Sequence, residues 1–139
     1  MIAQEKTIIQ YIPQRPPMVM VDKLIDCLTD EIQTGLKISS DNIFVENGVF
    51  TPPGLIENIA QTVAAGAGRR AAAENKPTPM GFLASVKKLK IHKLPTVGTD
   101  IVTHVRVINQ VMSVGIISGE IFQDNEPIAE CEMRVFVQP

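Results

Sequence analysis

The residues best suited to chemistry fall together in "PPGLIENIAQ", positions 52–61. Glu57 is a carboxylate that can give or take a proton. Gln61 follows at the four-residue spacing that makes side chains neighbours on a helix, so its amide can fix the Glu57 rotamer. Asn58 lies beside them. Gly54 opens the segment, and the first N–H groups of a helix lack intrahelical partners. A residue without a side chain lets a ligand carbonyl approach those groups, where aligned dipoles stabilise negative charge on its oxygen. Such a terminus, with a carboxylate one turn inside, suits acyl chemistry. Plainer uses fit the same residues. A first-turn carboxylate interacts favourably with the helix dipole by ~0.3–1 kcal/mol, Gln61 suits a solvent edge, and Gly54 suits a tight turn. The spacing leaves both readings open.

Other chemistries find less support. Cys27 and Cys131 lie far apart and match no ligand spacing, so they read as free core thiols of a reducing cytoplasm. No metal or cofactor is expected, because the glycines of "GAGRRAAA" fall late in a helix rather than after a strand. The formal charge of -2, with no Trp and one Tyr, argues against nucleic acid. The N-terminus has no positive start before an apolar run, so no secretory signal is expected. Positions 53–74 are long enough for a membrane span, but Glu57, Asn58, Gln61, Arg69 and Arg70 interrupt them. A cytoplasmic protein without a membrane span follows.

The positioning elements read from periodicity. A chain of 139 residues, 45% hydrophobic, suits one domain over 1–139 with a sizeable core. "MVMV" reads as a short buried strand. Ile32, Thr34, Leu36 and Ile38 alternate as a half-buried one. Residues 42–52 read as a loop with an Asn47-Gly48 turn, and a helix runs from about 53 to 74 until "NKPTP" ends it. About four strands follow, and in the last Cys131, Met133, Val135 and Val137 face opposite to Glu130, Glu132 and Arg134. One helix cannot cover both faces of a parallel sheet. The expected class is α+β, an antiparallel sheet wrapped around one long central helix. Glu57, Gln61, Ala64 and Gly68 form a line on that helix that is polar at its start and then very small, suited to close backbone approach.

Three segments carry a resemblance. "IPQRPPMVMVDKL" (12–24), "PPGLIENIAQ" (52–61) and "GFLASVKKLKIHKLPTVGTD" (81–100) resemble, in order, segments of the β-hydroxyacyl-acyl-carrier-protein dehydratase family, which has the hot-dog fold. Phe44 and Gly48 make the chain most similar to divergent dehydratase-like proteins of aryl-polyene-type pigment clusters. The resemblance implies a dimer with one continuous sheet, and tunnels at its interface for acyl-phosphopantetheine. It implies that Glu57 protonates the departing hydroxyl, with the amides of Gly54 and Leu55 holding the thioester oxygen. Asn58 and Gln61 would help to bind substrate.

The chain departs from that family where a catalytic His should stand. "FVENGVFTPPG" has none, Gln14 replaces the His that often precedes the Arg, and only His92 and His104 exist. Three functions follow: a dehydratase of acyl-ACP or acyl-CoA, acting as a homodimer or as half of a heterodimer whose partner supplies His; a thioesterase using Glu57 alone; or a scaffold subunit. An acidic acyl carrier protein would meet Lys88 and Lys90, on one strand face with His92 and with Lys87 and Lys93 opposite, together with Arg69 and Arg70.

Overall fold

The computed structural model describes residues 1–4 and 7–138. A 3-10 turn (Ile8–Tyr11) leads to β1 (Lys23–Cys27) and β2 (Glu31–Lys37). A small hairpin, β3 (Val45–Glu46) and β4 (Val49–Phe50), precedes the single α-helix of the described residues, α1 (Pro52–Ala73). Then come β5 (Met80–Ile91), β6 (Asp100–Val111), β7 (Val114–Gln123) and β8 (Glu126–Gln138). The main sheet is antiparallel with order β1-β2-β6-β7-β8-β5. This is the expected α+β hot-dog layout, with two corrections. The strand read at "MVMV" falls a few residues later, at Lys23–Cys27, because 18–21 form an extended lead-in whose backbone bonds to Gln61 and Asn58 instead of a neighbouring strand. The loop read at 42–52 contains a hairpin. Asn47 and Gly48 have φ of 53° and 77°, the paired positive values that a two-residue hairpin turn requires.

Register irregularities in the β1, β5, β6 and β7 pairings bend the sheet around α1. The core joins Leu55, Ile59 and Val63 of the helix to Ile32, Leu36, Ile101, Val105, Ile117, Ile121 and Met133 of the strands. The alternation read in β2 and β8 holds: Ile32, Thr34, Leu36, Cys131, Met133 and Val135 are buried, while Arg134 is exposed. Close approach accounts for the helix glycines. A Cβ on Gly68 would lie 1.7 Å from the Tyr11 carbonyl oxygen, and one on Gly66 2.5 Å from Ile32. Asn75, at φ 56°, ends α1. Asn75 N–H donates to Ala72 O and Lys76 N–H to Ala71 O, the paired bonds of a Schellman cap.

The two sheet edges differ. The N-terminal residues cover β1, where Ile2 N–H donates to Leu24 O and Leu24 N–H to Ala3 O, each at 2.8 Å. No described strand pairs with the outer side of β5, and Phe82 and Leu83 are 50% and 44% exposed there. Long apolar edges of this kind template pairing with another chain. No described helix is long and apolar enough to cross a membrane.

Candidate functional site

The start of α1 closes on itself. Thr51, the N-cap, is extended, and its N–H donates to Phe44 O at 2.9 Å. Pro52 and Pro53 occupy the next two positions and have no N–H. Gly54 N–H and Leu55 N–H both donate to Thr51 O, at 2.9 and 3.4 Å. The expectation of unpaired amides at 54 and 55 is thereby corrected: two prolines and one carbonyl dispose of the donors a helix start normally leaves open. Both residues are buried, and a Cβ on Gly54 would lie 2.5 Å from the Phe50 ring and 2.8 Å from Phe44 Cβ. Gly54 is a packing glycine in this chain.

Because the helix begins at Pro52, Glu57 falls in its second turn and not its first, which weakens the dipole explanation for it. Glu57 is half-buried, and its Oε2 accepts a 2.7 Å bond from Gln61 Nε2. Gln61 is held on every side: Nε2 also donates to Met18 O at 2.7 Å, and Oε1 accepts from Met20 N–H at 2.6 Å. Its rotamer is fixed, so the N–H aimed at Glu57 is preorganised. The predicted Glu57–Gln61 pair is present, but Gln61 is buried rather than on a solvent edge.

Asn58 is also fully buried. Its Nδ2 donates to Met20 O at 2.8 Å and its Oδ1 accepts from Thr103 Oγ1. With both polar ends used inside the fold, Asn58 braces the 18–20 segment and β6 against the helix. This corrects the expectation that it binds substrate. Thr62 extends the brace, donating to Asn58 O at 2.9 Å and pairing with Thr34 at 2.7 Å.

A narrow cavity of about 40 Å³ lies farther along the helix face that carries Glu57, although Glu57 itself does not line it. Ala60, Ala64 and Ala67 follow Glu57 at three- and four-residue steps, hence on one helix face, and line the cavity with Pro79, just before β5, and Leu83 of β5. Among the described residues Gln14 supplies its one polar side chain, and Gln14 Oε1 is buried without a hydrogen-bond partner among them. Of the line Glu57, Gln61, Ala64 and Gly68 expected from spacing, Ala64 lines the cavity, whereas Gln61 and Gly68 turn to another side. In the structure that side is filled by the lead-in segment 11–20, through the Tyr11 and Met18 carbonyls.

Neither histidine can serve Glu57 within the chain. His104 is exposed between buried Thr103 and Val105, its ring against Phe122 at 4.9 Å. Strand alternation sends it to the face away from the helix. His92 lies 3.9 Å from Glu130, on that same outer face. The thiols are not candidates either: burial pushes Cys131 up to about 11, and raises Cys27 despite the nearby Arg70 and Arg69. Among the described residues no group of three His, Cys, Asp or Glu could hold a metal.

The proposed carrier face is rearranged. Lys88 has φ 56°, and pairing jumps from Lys87↔Glu132 to Lys90↔Glu130. One inserted residue reverses the alternation, so Lys87 and Lys90 share a face instead of opposing each other. Glu132 and Glu130 lie opposite them and offset their charge. Arg69 donates to Tyr11 Oη at 2.9 Å and Arg70 to Thr29 O at 3.1 Å, so both helix-end guanidiniums have partners in the fold.

The sequence profile of the ApeP-like family, described as ApeP dehydratase, matches residues 6–139. The chain belongs to the ApeP-like dehydratase family. A 3-hydroxyacyl-[acyl-carrier-protein] dehydratase FabZ of Methylobacterium radiotolerans is 30% identical, the match covering 97% of this chain and 89% of that one. Its counterpart in Shewanella frigidimarina is 25% identical over 92% and 88%. Among solved structures, the dehydratase heterocomplex ApeI:P from Xenorhabdus doucetiae superposes with a TM-score of 0.86 at 18% identity, covering 95% of this chain and 90% of that one. The uncharacterized protein PH1136 from Pyrococcus horikoshii matches at a TM-score of 0.68 and 17% identity, over 93% and 92%. The fold of this dehydratase family is that of the hot-dog proteins.

Proposed function

We propose that this chain is one subunit of a dehydratase acting on 3-hydroxyacyl thioesters, and that it contributes Glu57 to a site completed by a His-bearing partner. The observation that carries this reading is the oriented carboxylate of Glu57, on the helix line that continues into the alanine-lined cavity, in a chain whose two histidines lie on the opposite sheet face. The dehydratase names of the relatives, and a family likeness that extends to one half of a heterocomplex, support it.

The chemistry balances as a simple elimination. A base from the partner removes the proton on the carbon next to the thioester. That electron pair forms the carbon–carbon double bond as the C–O bond of the 3-hydroxyl breaks. Glu57 gives its proton to the departing oxygen, which leaves as water. The Gln61 N–H then stabilises the carboxylate that remains. Charge developing on the thioester oxygen falls to the helix dipole and to donors the partner brings, because Gly54 and Leu55 N–H are already engaged. The acyl group would arrive on an acyl carrier protein or coenzyme A. An acidic carrier would meet exposed Lys88 and Lys90 and the exposed helix-end residues Arg69 and Arg70, whose guanidiniums also hold bonds within the fold.

The test is reconstitution. The purified chain, alone and mixed with a His-bearing homologue, is supplied with 3-hydroxyacyl-ACP while enoyl absorbance and free thiol are both followed. Enoyl product in the mixture only is expected. Full dehydration by the chain alone contradicts the composite site, and thiol release without enoyl product favours hydrolysis instead.

A further inference from the structure

Gln14 is part-buried as a residue, but its Oε1 is out of solvent and has no partner among the described residues. A buried acceptor left without a donor is unfavourable, so a group that can bond to it is favoured there. The cavity it faces has room for water-sized groups. Water is nonetheless a poor occupant: it needs two to four polar partners, and the rest of the side-chain lining is alanine, valine, leucine and proline. An apolar chain bearing a single hydroxyl complements this lining better. A hydroxyl can donate to the Gln14 carbonyl oxygen or accept from its amide nitrogen, whichever it meets.

The position of Gln14 along the helix is set by its neighbours. The lead-in runs antiparallel to α1, with Met18 bonded to Gln61 and Tyr11 packed on Gly68. Gln14 therefore sits beside Ala64, seven residues beyond Glu57, or about 10 Å along the axis. We propose that Gln14 is a specificity-determining residue that selects acyl thioesters carrying a hydroxyl far from the thioester, with the intervening chain lying along Ala60 and Ala64. The inference rests on the acyl-thioester reading of the Glu57 site and adds the class of acyl group.

The experiment is calorimetric titration of the full chain, together with its partner where the two co-purify. The ligands are unsubstituted acyl-pantetheine thioesters and a positional series hydroxylated along the chain. One distal hydroxyl position should bind about tenfold tighter than the unsubstituted chain. Gln14→Leu should bring that ratio to about one, leaving unsubstituted ligands bound as well as before and the assembly size unchanged. Ala64→Leu, which fills the cavity, should reject long chains and keep short ones. A hydroxyl preference that survives Gln14→Leu, or no preference at any position while thioesters bind, overturns the proposal alone. Loss of the assembly in Gln14→Leu also overturns it, since the amide would then be satisfied by another subunit. Absence of thioester binding of any kind overturns the acyl-thioester reading, and this inference with it.

Discussion

At the residue scale, Glu57, Asn58 and Gln61 are neighbours in sequence but differ in use. Gln61 reaches both the lead-in segment and Glu57. Asn58 reaches only the fold. Sequence spacing anticipated the Glu57–Gln61 pair, because four-residue neighbours on a helix are a local property. The assignment of Asn58 was not legible. Its partners, Met20 and Thr103, are 38 and 45 residues away, and their proximity exists only once the sheet has wrapped. Asn58→Ala leaves the Met20 carbonyl and the Thr103 hydroxyl buried without their partner. It should cost about 2–3 kcal/mol in urea unfolding. A loss below about 0.5 kcal/mol would show that the brace carries little.

At the scale of elements, the span of α1 is legible to within a residue, since Pro-Pro-Gly and Asn-Lys-Pro are local start and stop chemistry. Its interior periodicity identified a buried helix, and its small residues a closely gripped one. Which small residue meets which wall was hidden: Gly68 meets the Tyr11 backbone, whereas Ala64 and Ala67 meet the cavity. Gly68→Ala therefore forces a backbone shift, because a Cβ there would fall 1.7 Å from a carbonyl oxygen. It should destabilise by about 2 kcal/mol or more, read as a lowered thermal midpoint. Gly48→Ala provides the contrast, since its space is open and only its φ of 77° opposes the methyl. In β5 the bulge at Lys88 defeated the alternation argument. Period-2 reading assumes an uninterrupted ladder, and one extra residue reverses every face after it.

At the scale of the whole molecule, the asymmetry of the sheet edges matters most. β1 is covered by the N-terminal residues, while β5 carries Met80, Phe82, Leu83 and Leu89 exposed on an open edge. The cavity wall at Pro79 and Leu83 lies at this edge, so a second subunit pairing there would complete the site. Phe82→Lys combined with Leu89→Lys should reduce the species seen by light scattering from a pair of subunits to one. An unaltered mass would place the interface elsewhere. The architecture was legible from the order of elements, because one helix among antiparallel strands has few ways to be covered. The open edge was not, since pairing order is a property of the assembled sheet.

The measurement closest to the central claim is the single-turnover rate of enoyl formation by the reconstituted complex with Glu57→Gln in this chain. Glutamine preserves the shape and the contact with residue 61 but cannot deliver the proton. The predicted result is a fall of about 100-fold or more, with the urea midpoint little changed. An unaltered rate in a fully assembled complex would contradict the account and leave this chain as a scaffold for chemistry performed by its partner.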